Sequence, residues 1–220
     1  MAETLADKLA KQERAEREII KMFQRFIQPG DNMFVADFFL VGVIKRAVSL
    51  SSGFRGLIEA RNFTSAAALL RMQIDTAMRI NAAALVSNTE EFAMAVLHGD
   101  PINRMTDRDG NKLTDSYLAK KLNDQFPWAL AVYKETSELV HFTSRHMFAS
   151  TARLDEKERT VHFMVSAQDP PRPETDYFEV VHAFHEATRA VATLAAAWQS
   201  AIRPGRVFAI IDRPPAESVA

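Results

Sequence analysis

The stretch SAAALLRMQIDTAMRINAAAL, residues 65–85, decides the fold. It contains no Gly or Pro and is rich in Ala, Leu and Met, so it reads as a helix. Apolar or small side chains occupy nearly every side of it. Such a helix is stable only when neighbours surround it. It therefore belongs at the centre of a bundle, and the rest of the chain must supply the helices around it.

The flanking sequence supplies them. Residues 3–28 lack Gly and Pro until Pro29-Gly30, and their apolar side chains thicken from Ile19 to Ile27. The pattern predicts a helix exposed or fraying at its front and docked at its back. A second helix spans about 34–60, with Phe34, Phe38, Val41, Val48 and Leu57 at helical spacing. Gly53 and Gly56 within SLSSGFRG predict a kink or a break there. After the central helix, Thr89 is positioned to cap a short helix and Thr114 to cap another ending near Phe126. Pro127 then suits the first position of a long helix reaching Phe148. The last long helix spans about 176–202, closed by Pro204-Gly205 and followed by a tail at 204–220.

Two segments read differently. In TARLDEKERTVHFMVSA, Val161, Phe163 and Val165 alternate with His162 and Met164, which predicts a β-hairpin near 150–166. DRDGN, residues 107–111, has the flavour of a calcium loop, but Gly110 sits at the wrong offset and Leu118 stands where the closing Glu belongs. A turn is the better reading. The whole is one all-α domain over residues 1–220: a multi-helix bundle of four long helices plus short ones, with one small β-hairpin.

Composition narrows function by exclusion. Twenty-seven basic against 28 acidic residues leave a net charge of −1, so no overall field draws the chain to nucleic acid or anionic lipid. The absence of cysteine excludes disulfides, thiol catalysis and zinc knuckles, and it suits a reducing cytoplasm. The most apolar run, MFVADFFLVGVI at 33–44, is about half a membrane span and carries Asp37, so no membrane segment is expected. Phosphate loops, nucleophile elbows and HExxH signatures are all missing.

Two polar patterns remain. Arg71, Asp75 and Arg79 recur every four residues along the central helix, a plus–minus–plus ladder on one face. Charges on so apolar a helix are costly unless paired, so the ladder is either a buried network or the wall of an anion pocket, with Tyr133 positioned to join it. The second pattern is Glu-x-x-His, occurring as Glu138/His141 and again as Glu179/His182, the arrangement by which di-iron bundles hold metal. Glu59 and Asp75 could complete such a set. Helical spacing sets both pairs opposite the apolar stripes of their helices, so solvated faces are the first reading and a di-metal site is the alternative.

The segments AAALLRMQIDTAMRINAAAL and YKETSELVHFTSRHMF, followed by a hairpin and a closing helix, resemble a bacterial family of uncharacterised all-α proteins. That family is similar to the HEPN-like (higher eukaryote and prokaryote nucleotide-binding) helical domains. The resemblance covers about 35–200 and marks Arg71, Asp75, Tyr133, Ser137 and His141, with Asp75 standing where the family pattern has Glu. It implies nucleotide or anion binding, and it raises a ribonuclease alternative, since many HEPN-like proteins cut RNA with an Arg-x(4–6)-His motif. None of the six histidines has that spacing. The expectation is a non-catalytic interaction or small-anion-binding module, without cofactor, acting as a homo-oligomer or with a protein partner.

Overall fold

The structure, a computed structural model, describes residues 3–26 and 33–202. Four helices of 22 to 25 residues form its frame: α1 (Leu5–Phe26), α2 (Val35–Glu59), α3 (Phe63–Leu85) and α8 (Phe178–Ile202). Between α3 and α8 lie α4 (Thr89–Leu97), α5 (Asp115–Gln125), α6 (Ala129–Ser137) and α7 (Ser144–Ala149), then the antiparallel strands β1 (Thr151–Asp155) and β2 (Thr160–Phe163). The predicted all-α bundle with a small hairpin is the fold observed. Pro29-Gly30, Pro204-Gly205 and the tail lie outside the described residues. Among the described residues, no helix is long and apolar enough to cross a membrane.

Helix α3 is central because it can afford neighbours on all sides. Ala66, Ala67, Ala77, Ala82 and Ala83 are fully or almost fully buried, and these short side chains let α2, α5, α6 and α8 approach. Asn62 caps its N-terminus, accepting a hydrogen bond from the Ser65 amide at 3.1 Å. Helix α4 is likewise capped by Asn88 rather than Thr89, whose hydroxyl instead donates to the Ala83 carbonyl.

Three further expectations are corrected. Helix α2 does not break at its glycines: Gly53 marks a close approach, since a Cβ there would stand 3.3 Å from the Leu69 side chain of α3. The front of α1 is docked, not frayed, because Leu5, Leu9 and Gln12 are buried against α8 and α2. The long helix expected over 127–148 is two short ones separated at 138–143. There the Thr136 and Ser137 hydroxyls donate to the carbonyls of Val132 and Tyr133, both at 2.6 Å, and draw off the last turn's acceptors. Thr143 then opens α7, its amide donating to His146 Nδ1 at 3.2 Å.

The 107–111 segment is a turn, as expected. The Asp107 carboxylate accepts from the amides of Asp109 and Asn111 and from the Tyr117 hydroxyl. The phenol's hydrogen bond is the main cause holding Asp107 down at about 2, and the same bond lifts Tyr117 to about 12. With its oxygens so engaged, Asp107 completes a turn.

Inside the frame, one polar network crosses the apolar core. Gln12 of α1 donates to Ser51 of α2 and Thr188 of α8, each at 2.9 Å, and Gln73 of α3 reaches Thr188 at 3.1 Å. His185 Nδ1 lies 3.2 Å from Gln12 Oε1. Burial, aided by Lys11, holds His185 below its usual value of 6.5. The folded chain therefore keeps this ring neutral while the unfolded chain takes up a proton, so its contribution to stability is present above pH 6.5 and declines as pH falls below that value. Thermal melts between pH 7.5 and 5.5 are expected to show a smaller loss of stability in His185→Gln than in the unaltered chain.

Candidate functional site

A cleft of about 390 Å³ opens where α2, α3, α5 and α6 meet, and the 138–143 break closes one side of it. Its wall carries Arg71, Met72 and Asp75 from α3, Arg46 from α2, Asp115 from α5, and Tyr133 and Ser137 from α6, with Val140 and His141 at the break. Five residues singled out from the sequence, Arg71, Asp75, Tyr133, Ser137 and His141, thus come together. Arg79 stands behind the wall.

The ladder is real, but its members differ from those expected. Asp75 Oδ2 accepts from Arg46 at 2.9 Å, and Oδ1 forms an ion pair with Arg79 at 2.7 Å. Arg79 also binds Asp115 Oδ1 at 2.6 Å. Burial pulls Arg79 down, but Asp75 and Asp115 outweigh it and leave the guanidinium above its ordinary value. Arg46 has taken the place the i,i+4 rule assigned to Arg71, and both oxygens of the short Asp75 side chain are thereby occupied.

Arg71 lies instead over the ring of Tyr133, 4.1 Å from its centroid. Among the described residues, no carboxylate comes within 4.0 Å of it. A guanidinium on an aromatic face is held flat by cation–π attraction while keeping its donors for another partner. With three guanidiniums against two carboxylates, the cluster has a surplus positive charge, and it is located at Arg71. Ser137 contributes a hydroxyl already donating to the Tyr133 carbonyl at 2.6 Å, so what it can offer a ligand is acceptor capacity. The half-buried cation, the phenol and the exposed His141 imidazole can together bind a carboxylate or a phosphate.

The alternative metal set does not gather. Glu138 is 3.0 Å from Arg145 Nε, whereas His141 lines the cleft. His182 lines a small depression with Glu3, Lys8, Lys11 and His185, and Glu179 is exposed on the first turn of α8. Among the described residues, no three of His, Cys, Asp and Glu form a group able to hold a metal ion. The reason is the helix break, which takes Glu138 and His141 off the shared face their spacing implied.

Sequence reasoning missed Arg46 and Asp115. Arg46 was visible, beside Lys45, as one of three cations in the mostly apolar α2, and Asp115 read only as the acid commonly found in a helix's first turn. A slightly larger depression of about 420 Å³ lies between α1 and α2, but its guanidiniums are engaged, Arg55 with Glu16 at 3.4 Å and Arg61 with Glu174 at 3.0 Å. No family model, curated protein or solved structure matches the chain.

Proposed function

We propose that the protein is a non-catalytic binding module for a small anion, a carboxylate, phosphate or nucleotide, held by Arg71 in the cleft between α3 and α6. The observation that carries this reading is the contrast between Arg71 and the cluster's other two arginines. Arg46 and Arg79 are fixed by carboxylates, while Arg71 is stacked on Tyr133 and, among the described residues, gives its donors to no partner. The absence of cysteine suits a reducing compartment such as the cytoplasm.

Calorimetric titration with orthophosphate and with a nucleoside monophosphate tests it. Arg71→Ala should weaken binding about 10- to 100-fold, the worth of a charge-assisted hydrogen bond or two. Arg71→Lys should recover only part, because an ammonium cannot form the paired contact. No binding by the unaltered chain, or equal binding by Arg71→Ala, would sink the proposal.

One observation favours a second reading, a HEPN-like ribonuclease without the usual motif: His141 lines the same cleft as Arg71. An imidazole there can act as general acid or base on a phosphodiester held by the guanidinium. The same proteins incubated with single-stranded RNA decide it. Cleavage lost about 100-fold or more in His141→Ala supports an enzyme; intact RNA leaves the binding module.

A further inference from the structure

The hairpin and α7 display far more apolar surface than the bundle around them. Phe142, just before α7, and Phe148 and Phe163 are 83%, 74% and 68% exposed, and Met147, Leu154 and Val165 of the same stretch of chain are exposed as well. The hairpin's main neighbour is α7, itself without a buried residue. A two-stranded ribbon is marginal in water unless another surface covers its apolar face. Among the described residues, both outer edges of this one are unpaired, since the sheet has two strands.

We propose that the cover is a second copy of this chain, docked about a two-fold axis through α7 and the hairpin. Area supports it. The three phenylalanines would each remove about 150–250 Å² from water. With Met147, Leu154 and Val165, that reaches the roughly 800 Å² per partner typical of a stable complex.

Charge points to a copy rather than to an acidic or basic partner. Between residues 138 and 165 four acids, Glu138, Asp155, Glu156 and Glu158, face four bases, Arg145, Arg153, Lys157 and Arg159. The segment is neutral with both signs interspersed, so it can meet itself without net repulsion, whereas a strongly charged partner gains nothing from it. An open antiparallel edge is also self-complementary under a two-fold, because each copy offers the other the same row of donors and acceptors. This interface does not depend on what the cleft binds.

Sedimentation of the full chain over a wide concentration range is the test. The unaltered chain should be a dimer that dissociates on dilution, and the Phe148→Asp/Phe163→Asp double variant should raise the dissociation constant at least about 30-fold. A dimer that the double variant leaves unchanged overturns the proposal and moves the interface to another face. Should the variant not fold, amide exchange at residues 151–163 of the unaltered chain decides: exchange that quickens as the chain is diluted supports the interface. Protection that persists in a monomer overturns it and makes residues 203–220 of the same chain the cover.

Discussion

Phe184→Ala is expected to lower the unfolding free energy by about 3–5 kcal/mol, the usual loss for a buried phenylalanine. The ring is fully buried and stacks on Phe54 with centroids 3.9 Å apart and planes 16° from parallel. It joins α8 to α2 across the middle of the frame, with the Gln12–Thr188 network one turn away along α8. Truncation opens a cavity that neither helix can close, because α3 fixes the spacing of both. Domains of this size hold about 5–15 kcal/mol in all, so the variant should keep a folded population but melt roughly 6–20 °C lower. Urea denaturation followed by circular dichroism measures it. A loss under about 1 kcal/mol would mean that α8 can shift to refill the space, and the frame would be softer than its contacts imply.

The second large effect has opposite signs in two measurements. Asp75→Ala should cost about 1–3 kcal/mol of stability, since it leaves Arg46 without its carboxylate and Arg79 with only Asp115. The same change leaves three guanidiniums against one carboxylate in the cluster. If the cleft holds an anion, orthophosphate should then bind more tightly, by about 3- to 10-fold, although the protein is less stable. Both readouts falling together would instead mark Asp75 as the residue that positions Arg46 in the wall, with Arg46 itself touching the ligand. Titration and melting on one preparation separate the cases.

The long helices were legible because their signals are local and redundant. Helix α3 shows in its Gly- and Pro-free stretch rich in Ala, Leu and Met, and α8 in the stripe of Val180, Phe184, Val191 and Trp198, all buried in the fold. The hairpin showed in the alternation of Val161, Phe163 and Val165. The break at 138–143 was not legible, since Thr136, Ser137 and Thr143 are acceptable inside a helix. Only the choice of their hydroxyls to take backbone carbonyls, or of Thr143 to start α7, ends one helix and begins the next. The site was half legible for a similar reason. Spacing along α3 gave Arg71, Asp75 and Arg79 as neighbours, but Arg46, 29 positions before Asp75, arrives only when α2 packs against α3. Two arginines competed for one carboxylate, and one-dimensional spacing could not name the winner.

The cleft is built from materials of unequal permanence. One wall belongs to α3, where 12 of 23 residues are buried in the core. The other is residues 138–143, none of which is buried, yet Val140 and His141 line the cavity. Mutations in this segment escape the purifying pressure that folding places on α3. A lineage, or a designed library confined to these six positions, could therefore exchange one ligand for another while inheriting Arg71 and the bundle unchanged.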